Sequence, residues 1–111
     1  MDGHFFPEAI RALPHADIPF EGLSAYLSQS ADHQIVFMHF AKDASVGEHS
    51  HAAQVGFVLQ GRIELTAGGK TQVFQRGDMY SIPAGTPHAA RIFAGYADIT
   101  FFQEAQRYRR K

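Results

Sequence analysis

From Phe20 onward, glycine and proline divide the chain into short runs of apolar or alternating residues, and this spacing of turns limits the fold more than any other feature. Short runs of this kind between turn signals are typical of strands, and no long stretch keeps a helical period. Strands this closely spaced favour an all-β sandwich or barrel. The strand-length runs are 23–27, 34–40, 55–59, 79–82, 89–93 and 97–102.

A β-hairpin is predicted around Gly68 and Gly69. Residues 62–67 alternate apolar with polar side chains, and residues 70–75 can return as the partner strand. Two successive glycines supply the two positive φ angles that a two-residue hairpin turn requires. This pair of strands is the part of the fold that the local sequence defines best.

Three parts of the chain are expected to lie outside the strands. Residues 1–19 should be irregular apart from one or two helical turns, in which Pro7 takes the first helical position and Pro14 ends the helix. Residues 41–47 should form a loop. The basic residues of the segment 103–111 should form a solvated tail.

Length and composition exclude several classes of function. At 111 residues, the chain should form a single domain, 1–111, whose motif-bearing core spans about 34–102. The absence of cysteine excludes disulfides and thiolate ligands and is compatible with the reducing cytoplasm, where we expect the protein. A formal net charge of −1 provides no field for nucleic acid or an anionic membrane. We also see no signal peptide. No run of roughly 20 apolar residues could span a membrane, so we expect neither nucleic acid nor a membrane as a partner.

Four residues have the types and spacing of a metal site. His49 and His51 are separated by one residue, so on a strand their side chains share a face. Gln54 can return an amide oxygen toward them after a bend, and His88 follows a turn made rigid by Pro83 and Pro87. Three neutral imidazoles and one oxygen suit a divalent first-row transition metal, which can be iron, nickel, zinc, manganese or copper.

The spacing of these residues resembles the two-motif signature of the cupins, over roughly residues 45–102. The first motif is His49-x-His51 followed by Gln54 and, after six residues, Gly61. The second motif is Gly77, five residues, Pro83-x-Gly85, two residues and His88. Two positions depart from the family pattern. The first-motif glutamate, a metal ligand in the family, is replaced by Gln54 one residue early, and the asparagine that often follows the second histidine is Ile92.

The resemblance implies a small single-domain jelly-roll barrel, or double-stranded β-helix, that binds a metal ion and pairs as a homodimer. A homodimer also fits the runs 35–40 and 55–59, which are apolar on both faces. The resemblance implies no single reaction, because cupins include dioxygenases, isomerases, lyases, sugar epimerases and non-enzymatic binders. An enzyme and a non-catalytic module that binds or senses a small ligand therefore both remain open.

Replacement of the acidic ligand by Gln54 has chemical consequences. A ligand set without negative charge leaves the full 2+ charge on the metal, which favours a carboxylate, enolate or catecholate-like oxygen in the open positions. It also lacks a built-in carboxylate base. Tyr80 is the favoured residue for proton transfer, because its strand leads to the turn before His88. The other candidates are Glu64, Asp98 and His39, although His39 is expected to be a core residue, and His4 and His15 are expected at the surface.

Overall fold

The computed structural model describes residues 4–111, which form nine strands and one short helix. Five strands form one antiparallel sheet in the order β1-β2-β9-β4-β7, and four form a second antiparallel sheet in the order β3-β8-β5-β6. The predicted all-β jelly roll is confirmed. The elements are α1 Glu8–Arg11, β1 Leu23–Gln29, β2 Gln34–Phe40, β3 Ala44–His49, β4 Gln54–Gln60, β5 Arg62–Ala67, β6 Lys70–Gln75, β7 Met79–Ile82, β8 His88–Ile92 and β9 Ala97–Phe102.

The core lies where the inward faces of the two sheets meet. Leu27, Val36 and Phe102 of the five-stranded sheet are almost completely buried, and Ile63 and Ile92 of the four-stranded sheet belong to the same cluster. Along β2, buried and partly buried residues alternate, as expected for a strand with one face on the core. Burial of these apolar side chains is the main term that stabilises the fold.

The predicted hairpin is confirmed. Strands β5 and β6 pair antiparallel, with Ala67 opposite Lys70. Gly68 and Gly69 have φ angles of 58° and 76°, so both occupy the left-handed region that a two-residue turn requires.

The predicted loop was wrong in its second half, and tertiary pairing explains the difference. The predicted loop 41–47 is strand from Ala44, because β3 pairs with β8 and residues 44–46 lie opposite Ile92, Arg91 and Ala90. The partner strand provides ladder bonds that the small and polar residues of β3 do not signal locally. The helix is the shorter of the two predicted alternatives, because it spans one turn, Glu8–Arg11, but Pro7 precedes it as the N-cap instead of taking the first helical position.

The C-terminal segment 103–111 is not a solvated tail, although Arg109, Arg110 and Lys111 are exposed as expected. Tyr108 exchanges two hydrogen bonds with the buried side chain of Gln34: its N–H donates to Oε1 at 3.0 Å, and its carbonyl accepts from Nε2 at 2.8 Å. The Tyr108 ring also packs edge-on against Phe102, with centroids 5.6 Å apart. The contacts of Tyr108 therefore hold this segment against the protein, although the residues around Tyr108 are charged.

Gly56 provides the space that Tyr80 occupies between the sheets. The two residues are paired across β4 and β7, and Tyr80 is only 5% exposed. A Cβ atom on residue 56 would lie 2.2 Å from Cζ of Tyr80 and 2.6 Å from its hydroxyl oxygen. No rigid aromatic ring can accept such contacts, so the position of Tyr80 depends on glycine here.

We therefore expect Gly56→Ala to lower the free energy of unfolding by about 1–3 kcal/mol, the usual cost of overpacking. Urea unfolding followed by circular dichroism measures this change. Gly47→Ala is the matched control, because a Cβ there meets no atom within 4 Å. Equal stability of the two variants would contradict this packing.

The outer face of the five-stranded sheet carries a row of apolar side chains. Strand pairing places Phe37, Ile99, Phe57 and Met79 side by side. Phe6 covers one end of the row through an edge-on contact with Phe37 at 5.9 Å. At the other end, Phe57 is 44% and Met79 61% exposed. Adjacent exposed apolar side chains of this kind mark interaction surfaces.

We expect two copies of the chain to pair through this face. Phe57→Arg places a charge in the row, so it should shift the protein from dimer to monomer in sedimentation-velocity experiments. Val73→Arg is the control, since Val73 is 54% exposed on the other sheet and is not part of the row. A wild-type protein that sediments as a monomer at all concentrations would contradict the prediction.

None of the helical structure in residues 4–111 has the length and apolar character needed to cross a membrane.

Candidate metal centre

Three histidines meet at one end of the space between the sheets. The ring centroids of His49 and His88 are 4.3 Å apart, those of His51 and His88 4.7 Å, and those of His49 and His51 5.1 Å. Each ring offers one nitrogen as a possible ligand atom, and these three nitrogens lie within 4.8 Å of one another. This spacing allows the three rings to face one common ion.

The backbone that carries these histidines differs from the prediction, which placed His49 and His51 on one strand. His49 is the last residue of β3 and lies opposite His88, the first residue of β8. His51 is not on the same strand, because β3 ends at His49 and an irregular segment separates it from β4. The backbone carbonyl of His51 accepts a hydrogen bond of 2.9 Å from the N–H of Gly85, which ties this segment to the turn before His88.

All three imidazoles are held in the same tautomer. Nδ1 of His49 lies 2.8 Å from the carbonyl oxygen of Gly47, and Nδ1 of His88 lies 2.9 Å from that of Thr86. Nδ1 of His51 is likewise 2.8 Å from the carbonyl oxygen of Ala52. A carbonyl oxygen only accepts hydrogen bonds, so each Nδ1 carries the proton. In the neutral ring, Nε2 then presents its lone pair, as in a metal-binding histidine with an oriented outer hydrogen bond.

The surroundings of His51 and His88 favour the neutral form of these two rings. Burial lowers the pKa of both His51 and His88, and the nearby charge of Arg107 acts in the same direction. Nε2 of His51 is buried and has no hydrogen-bond partner among residues 4–111. A buried polar atom without a partner is costly, and a metal ion would use its lone pair.

The histidines border a cavity of about 200 Å³ with mostly apolar walls. This volume is below the roughly 300–1,000 Å³ of common ligand pockets, so the cavity suits a small molecule. Ile92, the residue at the position of the family's asparagine, is part of the wall. The residues that line it are Ile18, Pro19, Phe20, Met38, Phe40, Val46, His49, His51, Gln54, Ile63, Leu65, Tyr80, Ile82, His88, Ala90, Ile92, Asp98, Phe102, Arg107 and Tyr108.

Gln54 is the first residue of β4 and lines the same cavity as the histidines. Its Nε2 donates a hydrogen bond of 3.5 Å to the hydroxyl of Tyr80. A role as metal ligand would use Oε1, the other polar atom of the carboxamide. That role stays a prediction.

Tyr80 lies deep in the cavity, beside a buried carboxyl group. Burial and the neighbouring Asp98 raise the pKa of Tyr80 far above its ordinary value, so the phenol keeps its proton at neutral pH. Its predicted catalytic role is therefore restricted to donating a hydrogen bond or positioning Gln54. Whether it acts in catalysis stays a prediction.

Asp98 is the cavity residue whose pKa lies near neutral pH. It is 2% exposed, and its Oδ2 accepts a hydrogen bond of 2.5 Å from the hydroxyl of Tyr96. Its Oδ1 has no partner within residues 4–111. Burial raises the pKa of Asp98 to about 7, so this carboxyl exchanges a proton close to physiological pH.

The other two candidates for proton transfer do not border the cavity. Glu64 points away from the core, between the buried residues Ile63 and Leu65 along β5. His39 lies on the outer face of β2, only partly buried, and stacks on Phe5 with centroids 5.1 Å apart. The interpretation of His39 as a core residue was therefore wrong, because its strand parity directs it outward.

Two cavity residues, Arg107 and Tyr108, were missed by the sequence analysis. They lie in the segment interpreted as a solvated basic tail. The only local signal was the aromatic Tyr108 within a run of charges, which is unusual for a chain end in water.

Asp98 should make stability depend on pH in an unusual direction. Because its pKa is about 7 in the folded protein against an ordinary 3.8, the folded state binds the extra proton between these values. The stabilisation from this bound proton is fully present below about pH 4 and is lost, at about 1.4 kcal/mol per pH unit, as the pH rises toward 7. The stability of wild type relative to Asp98→Asn should therefore decrease between pH 5 and 7 in urea unfolding.

Asp17→Asn, a change at an exposed position, serves as the control for this measurement. A constant difference between wild type and Asp98→Asn across this range would contradict a protonated Asp98.

Comparisons with known proteins agree with this architecture. The family model described as "Cupin domain" (Cupin_2) matches residues 36–96, more than half of the chain. The chain therefore belongs to the cupin family. Among curated proteins, none matches the sequence closely.

Solved structures share the fold at low sequence identity. An RmlC-like cupin from Shewanella frigidimarina has 24% identity and a TM-score of 0.75, with 94% of this chain and 93% of that chain covered. KdgF from Halomonas sp. also has 24% identity, with a TM-score of 0.70 and coverage of 83% and 88%. Oxalate decarboxylase from Bacillus subtilis, whose Mn(II) centres have been studied, has 20% identity and a TM-score of 0.68, and the match covers 84% of this chain and 28% of that protein. These likenesses show the fold alone.

Proposed function

We propose that this protein binds one divalent transition-metal ion and acts as a metal-dependent enzyme on a small anionic or enolisable molecule in the cavity. The ligands are Nε2 of His49, His51 and His88, with Oε1 of Gln54 as the fourth. The observation that carries the proposal is the set of hydrogen bonds from the three Nδ1 atoms to backbone carbonyls, since these bonds leave the lone pair on Nε2 in three rings whose candidate ligand nitrogens lie within 4.8 Å of one another.

The donor set fits iron, nickel, zinc, manganese or copper, because imidazole and amide oxygen suit each of these ions. Mn(II) is named for the oxalate decarboxylase that shares the fold, which supports including manganese among the ions tested. None of the four ligands carries a negative charge, so the site favours an anionic oxygen in its remaining positions.

When bound, the metal supplies Lewis-acid polarisation of a substrate oxygen. The residues of the chain then have distinct tasks. The apolar walls limit the water that reaches the substrate, Tyr80 keeps its phenolic proton and orients Gln54, and Asp98 exchanges a proton near neutral pH. A carboxyl with a pKa near the working pH is suited to general acid–base catalysis, as in isomerisation or lyase chemistry at an enolisable carbon.

A second candidate function is metal-dependent binding of a small ligand without chemistry. The neutral Gln54 in place of an acidic ligand favours this alternative, because it removes the carboxylate base from the metal site. Asp98 is the one carboxyl among the described residues that line the cavity, and an enzyme of this design would depend on it. The two functions therefore differ in whether Asp98 is needed for turnover.

The metal centre is tested by elemental analysis and isothermal titration calorimetry of metal-free protein with Ni(II), Zn(II), Mn(II) and Fe(II). We expect one ion per chain. His51→Ala should lower the affinity at least tenfold, because it removes one of the three oriented imidazoles. His39→Gln is the control, since His39 lies on the outer face of β2. Wild-type affinity in His51→Ala, or no binding of any of these ions, would overturn the metal centre.

The enzyme is tested by incubating the metal-loaded protein with enols, diketones and small carboxylates and following product by NMR. We expect turnover in wild type and at least a tenfold lower kcat in Asp98→Asn with the metal content unchanged. Binding of one of these compounds to fully loaded protein without product would instead support the non-catalytic function.

A further inference from the structure

The C-terminal segment places one guanidinium group beside the three histidines. Arg107 lines the apolar cavity, and it also lines a second, more open pocket that faces solvent. His49 and His51 border both pockets as well. Arg107 and two of the three histidines therefore border the same space on both sides.

Aromatic rings hold the guanidinium of Arg107 in position. Its Cζ atom lies 4.3 Å from the ring centroid of Tyr108 and 5.6 Å from that of Phe102. The Phe102 ring in turn contacts His51, with centroids 5.5 Å apart. The Phe102 ring is thus in contact with both the cation and the histidine cluster, and stacking of this kind orients a guanidinium.

This positioned cation has no counter-ion in the described part of the chain. Nε of Arg107 is buried without a hydrogen-bond partner among residues 4–111. Glu48 and Glu104 border the solvent-facing opening, but neither forms an ion pair with Arg107 within those residues. A partly buried, unpaired guanidinium is costly, and the cost is recovered only when an anion binds.

We propose that Arg107 binds a carboxylate group of the ligand while another oxygen of the same molecule faces the histidine cluster. The planar guanidinium matches a carboxylate with two parallel hydrogen bonds. The substrate class is then a small acid with a second oxygen donor, short enough for a cavity of about 200 Å³. This inference rests on the proposed function for the second contact, whereas the contact with Arg107 does not require the metal.

The test uses malonate, acetate and inorganic phosphate as probes, titrated calorimetrically into Ni(II)-loaded and metal-free protein. Malonate should bind loaded wild type more tightly than either other probe. Arg107→Met should lower its affinity about tenfold or more, since it removes a charge-assisted pair of hydrogen bonds. Arg107→Lys should fall between the two, because it keeps the charge and loses the bidentate geometry. Arg62→Met is the matched control, as Arg62 also stacks on a ring, Phe93 at 4.2 Å, outside the cavity.

The possible failures are distinguishable. If wild type binds no Ni(II), the metal centre is wrong, and Arg107 is then judged by whether Arg107→Met weakens malonate binding to metal-free protein. Equal malonate affinity of wild type and Arg107→Met in both forms would overturn the role of Arg107. Full affinity in Arg107→Lys would overturn the bidentate contact, and tighter binding of phosphate than of malonate would overturn the carboxylate assignment. Nickel stoichiometry and circular dichroism of each variant separate these results from misfolding.

Discussion

The candidate metal centre depends on three short hydrogen bonds between imidazole Nδ1 atoms and backbone carbonyls. Each bond assigns the proton to Nδ1 and leaves the lone pair on Nε2. The accepting carbonyls belong to residues one or two positions from each histidine, so the backbone path sets the ring orientation. The hydrogen bond between Gly85 and His51 then connects two of these paths. A site built in this way is oriented before any ligand arrives.

The remainder of the cavity surrounds this cluster with mostly apolar walls. Apolar side chains from both sheets supply its walls, and burial alters the acidity of the few polar groups among them. The same physical cause lowers the pKa of His51 and His88 and raises that of Asp98. Desolvation disfavours the charged form of each group, which leaves the imidazoles neutral and gives the carboxyl a proton near neutral pH. One low-dielectric environment thus acts on both the candidate metal ligands and a candidate acid.

Local sequence predicted the elements whose conformation depends on near neighbours. The hairpin at Gly68 and Gly69 follows from two positive φ angles, and the bounds of β9 follow from an apolar run between turns. Pairing between strands that are distant in the sequence was harder to predict from local residues. Residues 44–46 carry little local strand signal, and they extend because β8 provides hydrogen-bond partners. Tyr108 was misassigned for a related reason, since its hydrogen-bond partner Gln34 lies 74 residues away in the chain.

The spacing of His49, His51, Gln54 and His88 was enough to predict a metal-type cluster in a β-barrel, because few folds bring two such motifs together. The sequence alone could not show that His51 leaves the strand, that Gly56 makes room for Tyr80, or that Asp98 loses its contact with water. Arg107 reached the cavity only through the packing of the C-terminal segment. Residue identity determined which donors exist and their order along the chain. Tertiary structure decided which of them line the same apolar cavity, because burial and long-range contacts depend on the complete fold.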